Sequence, residues 1–435
     1  MLLIYSQKIT KRLNYIFNLI FKEILCVEFE ITDSLDKFSE YKGYKINYSK
    51  QAIGEEIFFA SAGLLFETGV KSYVLKFIDF ADSKAFFPVF NKKSFFPFDP
   101  FSAAFFLVTR YEEYLPYIKD KYGRFVAAQS IAYKNDFLQK PLVNIWAKKI
   151  KEIIHDYYPD FIFPEKKYQY IPTFDIDSAY SYKLKGFFRS SFGYLRDLKD
   201  LNFKDIILRT KVLLNRCKDP FDTYDIILEL KKKYGLKPIV FILFGDYGEH
   251  DKNISNNNRK FHVLIKSLSD YFDVGVHPSF GSSKSFSKLE KEVKNLSDIL
   301  NKNIKKSRQH YLRIDIPTTY HNLLNLDITD DYSMGYASAI GFRASICSSF
   351  FFYDLDYETE TKLRIHPFAI MDGTLKDYLN LDADNAILKI KSIVDDIKAV
   401  NGTFISLWHN ETLSDEKRWK GWLRVFYEMI EYAIK

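Results

Sequence analysis

Cysteine is scarce. The chain of 435 residues has three, Cys26, Cys217 and Cys347, far apart and with no Cys-x-x-Cys pair. That spacing excludes a disulfide framework and a thiolate zinc site, and it fits a reducing compartment. Long apolar runs are missing too, since no stretch reaches the roughly 18 apolar residues of a membrane span. The greasy start, 1–29, is broken by Lys8, Lys11, Arg12 and Lys22 and has no small-residue cleavage site, unlike a secretory signal. A cytoplasmic location without a transmembrane segment is therefore expected. The net charge is only +7, and Lys231–Lys233 alternates with acidic neighbours. With the charge read as spread over a large surface, nucleic acid is not an expected partner. Histidine is rare as well, with 8 residues in all.

What the chain does have is material for a core. Hydrophobic residues make up 47% and charged residues 27%, and the length suggests about two domains. An apolar run at Leu2–Tyr5, a helical pattern through Leu13–Ile24 and the strand-like 27–32 open as β-α-β, so 1–165 is expected to be a small α/β domain. Within it, 98–117 predicts a buried helix starting at Asp99-Pro100, and 141–158 predicts a helix with one apolar face. Arg110, Glu112 and Glu113 fit a solvated helix end or an interdomain salt bridge better than a substrate cleft. Pro159, Pro164 and the charged 165–167 mark a linker.

From 166 to 435 the pattern alternates strands and helices. Strands are expected at 168–177, 237–246, 273–279, 309–314, 331–337 and 402–410, with helices between them. Strands this apolar imply a parallel sheet covered on both faces, and six to seven βα repeats favour a barrel, whose functional groups stand at the C-terminal strand ends. Polar residues do stand there. Asp175 and Asp177 are two apart on one strand and point to the same face. Two carboxylates so close repel unless a cation lies between them. His277 ends the next such strand, His310 follows on 309–314 and His409 closes 402–410. Arg308, His310 and Leu312 share one strand face, with Gln309, Tyr311 and Arg313 on the other. Carboxylate and imidazole donors without thiolates are the set of a catalytic zinc site.

In this order the motifs resemble the NodB-like polysaccharide deacetylases, carbohydrate esterase family four and its relatives. Thr173-Phe174-Asp175-Ile176-Asp177 resembles that family's first motif with one residue inserted. The resemblance implies Asp175 as general base and Asp177 as metal ligand. The second motif keeps His277 but has Gly281 where a second histidine is expected. His310 is the substitute, with Asp246 as the fallback. Arg313 with Pro317 looks like an expanded base-orienting motif, and Leu407-Trp408-His409 makes His409 the general acid. FDPFSAAFFLVTRYEEYLP, SAYSYK and GFRAS also resemble a Bacteroidetes group with an uncharacterised α/β domain before the barrel.

The expected fold is thus a small N-terminal α/β domain followed by a distorted (β/α)7-type NodB-like barrel. The expected function is a metal-dependent deacetylase of N-acetylated sugar units, in surface polysaccharide metabolism and with lipid-linked sugars among its substrates. The resemblance implies a divalent metal, zinc first and cobalt or nickel as alternatives. Asp177, His277 and His310 would be its ligands, and Asp175, His409, Arg308 and Arg313 the catalytic groups. Trp408, Tyr332 and Tyr336 are candidates to stack on a sugar, with ordinary packing the better reading of the tyrosines. Two other readings compete: an inactive glycan-binding relative, and a metal-free glycosidase with paired carboxylates.

Overall fold

In the computed structural model, which describes residues 1–81 and 83–435, the chain builds two principal sheets. The first is parallel, with β1 (Leu2–Ser6), β2 (Phe29–Thr32), β3 (Tyr44–Ser49) and β4 (Ile57–Ala60) in the order β2-β1-β3-β4. A short antiparallel pair follows, β5 (Phe77–Phe80) and β6 (Ser83–Phe86). Next comes the helix Pro100–Val108, every residue of which is buried. Asp99 caps it, accepting from the N–H groups of Phe101 and Ser102 at 3.1 and 2.9 Å. The expected helix over 98–117 stops there because Arg110 takes a left-handed backbone conformation, φ 53°, and turns the chain. Helix Leu142–Tyr157 matches the apolar stripe read in the sequence.

The second sheet has nine strands: β7 (Gln169–Ile176), β8 (Ile239–Leu243), β9 (Asp273–His277), β10 (Lys306–Ser307), β11 (Asp330–Asp331), β12 (Phe350–Asp354), β13 (Thr359–Ile365), β14 (Ile370–Met371) and β15 (Thr403–His409). Their order is β12-β13-β11-β10-β9-β8-β7-β15-β14, parallel except for the antiparallel β12 edge. The expected barrel is therefore corrected: the sheet curls but does not close. Three of its strands are two residues long, and 332–349 runs as loop where a strand was expected to continue to 337. The chain then inserts the β12–β13 hairpin. Single hydrogen bonds bridge the gap, Phe368 N–H to Met334 O and Ala369 N–H to Ile405 O. The expected strand at 309–314 is likewise a turn, since Tyr311 and Leu312 have φ of 61° and 53°.

Alternation along the strands places the site. Phe174, Val240 and Ile242 face the covering helices, with Phe174 packed edge-on against Phe426 of helix Trp422–Ile434. Phe241, Ile405 and Leu407 point into the concave side, where Tyr332, Phe368 and Met371 join them in a separate apolar cluster. Asp175 pairs in register with His409 and with Phe241, and His277 with Leu243, so four strand ends meet on one edge. The N-terminal sheet packs against the far side through one continuous core, and Tyr15 Oη donates to Phe351 O at 2.7 Å.

Candidate metal centre

Asp177 follows the last residue of β7 and faces three imidazoles. Its Oδ1 lies 3.2 Å from His277 Nε2, and its Oδ2 lies 3.5 Å from His310 Nε2 and 3.7 Å from His409 Nε2. One ligand atom each from Asp177, His277 and His310 falls within 4.8 Å of the others. Arg308 and His310 both enter the site from the short extended stretch that follows β10, where their N–H groups bond Val276 O and Pro278 O, and the left-handed turn directly after His310 carries the chain away.

Each imidazole is oriented from behind. His277 Nδ1 bonds the carbonyl of Arg308, which can only accept, so Nδ1 carries the proton and Nε2 presents a lone pair. His310 Nδ1 bonds Asp251 Oδ1 at 2.8 Å, and Asp251 is held by the N–H groups of Phe280 and Gly281. His409 Nδ1 bonds Asp372 Oδ1 at 2.8 Å, while Asp372 Oδ2 accepts from the His409 N–H and the Thr412 hydroxyl. Carboxylates and carbonyls behind ligating imidazoles fix the tautomer and raise basicity. Sequence reading missed Asp251 and Asp372. Asp251 sits in a polar loop without periodicity, whereas Asp372 ends a short apolar run and was findable by the strand-end rule.

Electrostatics converge on positive charge. Burial works against the Asp177 carboxylate, but His310, His277 and His409 more than reverse this and hold it well below its usual range. Burial likewise opposes charge on His310, and Asp177 and Asp251 push it up to about 9. His409 is held well above its ordinary value by Asp372, Asp177 and Asp175 against burial. Asp177 Oδ1 is buried yet has no hydrogen-bond partner among the described residues, although His277 Nε2 is 3.2 Å away. Two lone pairs facing one another at that distance need a proton or a cation between them. This orphaned oxygen and the N/O donor set fit a divalent metal.

Asp175 is buried beneath this cluster. Its Oδ1 accepts from Arg308 Nη1 at 2.9 Å and its Oδ2 is 3.7 Å from His277 Nε2. Arg308 is itself buried, stacked 4.6 Å from the Phe241 ring and bonded to Tyr332 O. Arg313, the other candidate to orient Asp175, does not reach it. The turn at Tyr311–Leu312 sends it outward to Ser283 and the face of Phe280. The fallback Asp246 is exposed and bonds Asn256 at 2.9 Å, away from the cluster. The sugar-stacking candidates also lie elsewhere: Trp408 packs on Phe426, Tyr332 stacks on His366 and Tyr336 bonds Arg110. A cavity of about 370 Å³ opens over the cluster, and Tyr311, Tyr378 and Trp419 line it instead. Arg124, from the N-terminal segment, also reaches its wall and donates to Tyr311 O at 3.0 Å.

Residues 2–159 match the model of a family of unknown function, DUF7033. No curated protein matches the chain. Solved structures with a similar course include a protein assigned as a polysaccharide deacetylase from Mycobacterium smegmatis. It is 12% identical with a TM-score of 0.40, and the match covers 63% of this chain and 86% of that one. A polysaccharide deacetylase from Bacillus cereus gives 12% identity and a TM-score of 0.28 over 62% and 86% of the two chains. The Puue allantoinase gives 9% and 0.37 over 61% and 83%. At these values the chemistry has to be argued from the side chains themselves. No described helix is long and apolar enough to cross a membrane.

Proposed function

We propose that the chain is a metal-dependent deacetylase acting on N-acetylated sugar units, with residues 166–435 carrying the chemistry and residues 1–165 forming a second unit against it. The observation that carries this reading is the convergence of Asp177, His277 and His310 on one point, with Asp175–Arg308 and His409–Asp372 on either side, at the floor of the cavity.

Asp177, His277 Nε2 and His310 Nε2 would hold the metal, zinc by preference for this donor set, and when bound it supplies Lewis-acid polarisation of an acyl oxygen and a lowered pKa for water. Asp175, oriented by its bond from Arg308, accepts the proton of the attacking water. His409, held by Asp372 with Nε2 toward the cavity, donates a proton to the departing amine. His310 supplies the imidazole that the altered second motif lacks, which favours an enzyme over a glycan binder. A glycosidase would want two carboxyl groups free to act on one bond, about 5–9.5 Å apart. Here Asp251 and Asp372 are both committed to imidazoles.

Metal analysis of the purified protein combined with acetate release from N-acetylated sugar oligomers tests the reading. Stoichiometric metal and acetate that disappear together in Asp177→Ala are expected. Acetate release by a metal-free Asp177→Ala protein, or chain cleavage without acetate, would sink it.

A further inference from the structure

The connection from β7 to the next covering helix is a helical hairpin, Phe187–Lys199 and Phe203–Leu213, and it is folded with its polar side inward. Between the two helices Arg209 is buried and bonds Asp197 Oδ2 at 2.6 Å. Its guanidinium lies 4.6 Å from the Tyr182 ring, and Tyr194 Oη pairs with Thr210 Oγ1 at 2.9 Å. Gly193 lets the guanidinium approach, since a Cβ there would stand 2.4 Å from Arg209 Nη1. The outer side carries Phe187, Phe188, Phe192, Leu195, Phe203 and Ile207, each 56–79% exposed. Phe188, Phe192 and Leu195 stand at i, i+4 and i+7, so they form one stripe. A hairpin solvated by water on that side would show the opposite pattern.

The charge is placed with it. Residues 183–218 contain ten Lys and Arg against three Asp, a surplus equal to the whole chain's +7. The charge taken from sequence as spread out is therefore gathered in this one segment. Lys199 follows Leu195, and Lys211 follows Ile207, by four residues on the same faces, and both are exposed. A second copy of the chain would bring this surplus against itself. The hairpin is also tied to the rim of the catalytic cavity. Arg189 donates to Lys252 O and Asn253 O at 2.9 and 2.8 Å, and Lys417 bonds Asp205 at 2.6 Å. Lys252 lines the cavity, as do Arg418 and Trp419 beside Lys417.

We propose that the hairpin 187–214 docks flat on a bilayer surface containing anionic lipid, with Phe and Leu side chains in the interface and Lys and Arg at the headgroups, so that the cavity mouth faces the membrane. Helices of 13 and 11 residues are too short to span a bilayer but suited to lie in its surface. The proposal stands whatever reaction the cavity performs.

The test is flotation of the full-length chain with vesicles of phosphatidylcholine alone and of phosphatidylcholine mixed equally with phosphatidylglycerol. Binding to the mixed vesicles only is expected. Phe188→Ser/Phe192→Ser/Leu195→Ser, on exposed positions, should keep the wild-type thermal transition and weaken binding by roughly a hundredfold. Lys199→Glu/Lys204→Glu should weaken it by roughly tenfold or more. Failure of the wild type to float, or equal flotation of the triple-serine variant, overturns the proposal. Equal binding to both vesicle types overturns the anionic requirement. A lipid-free dimer that the triple-serine variant splits assigns the face to a second copy and overturns it as well.

Discussion

Two clusters of buried charge lie in this molecule, and they are built on opposite terms. Where the N-terminal segment meets the larger sheet, Glu113 is fully buried. It accepts from Arg110 Nε at 2.8 Å and from Arg343 Nε and Nη2 at 2.9 and 2.5 Å. Arg110 goes on to Glu112 and Tyr336, and Arg343 to Gly335 O. Every carboxylate oxygen there meets a donor. At the strand ends of the other cluster, Asp177 presents a buried oxygen that no donor among the described residues meets, and the His277 imidazole turns its Nε2 toward it. Saturated charge holds two parts of a fold together, whereas convergent and unsaturated charge is a place where something else binds.

The comparison predicts that the two clusters fail differently. Asp177→Ala should lower acetate release by roughly three orders of magnitude or more and abolish metal uptake. It should lower the thermal transition far less than Glu113→Ala does, because Asp177 loses the favourable field of the imidazoles and strands no buried group. Calorimetry beside metal analysis reads both effects. A large drop in stability would place Asp177 among the structural charges instead. Glu113→Ala should do the reverse, since it strands two buried guanidinium groups. We expect a loss of about 3–5 kcal/mol in a denaturant titration, with bound metal per folded molecule unchanged.

Much of this contrast could be read before the structure, and what could not has a physical reason. Polar residues at the ends of apolar strands are conspicuous, because a packed sheet rejects them unless they work, so Asp175, Asp177, His277 and His409 stood out. The period of two then carried Arg308 and His310 into the same place. The left-handed turn at Tyr311–Leu312 had no such signal, since neither residue type favours it, and it is what removed Arg313 from the site. Asp251 was hidden for a related reason: a loop carboxylate has no periodicity, and its partner is 59 residues away. Closure of the sheet was beyond the pattern as well, because strands of two residues leave too little alternation to count. The inverted hairpin shows the same limit, since helical spacing reveals a stripe without telling which way it faces.

Asp251 also sharpens the contrast, because it belongs to the site while looking structural. It is buried, paired and held by two backbone N–H groups. If its task is to orient His310, Asp251→Asn should reduce metal affinity by roughly ten- to a hundredfold with only a small change in folding stability. Titration with a competing chelator measures the first and thermal melting the second. Unaltered affinity would remove His310 from the ligand set proposed here.

The smallest effect is one of acid stability. Burial opposes the Glu113 charge, but Arg343 and Arg110 more than reverse this and hold the carboxyl below its ordinary 4.5. A carboxyl depressed in the folded state stabilises the fold above its unfolded value, and that contribution disappears as the pH falls through the lowered folded value. Glu112 runs the other way, because burial outweighs Arg110 and raises it. Acid melts of the wild type alone would therefore mix the two. Comparison with Glu113→Gln isolates the first, since Glu112 is common to both chains. The gap in melting temperature between them should be widest near neutral pH and narrow steadily between about pH 5 and pH 3. A gap that stays constant over that range would mean that Glu113 contributes hydrogen bonds without its charge, and the saturated cluster would then be held by geometry rather than by ion pairing.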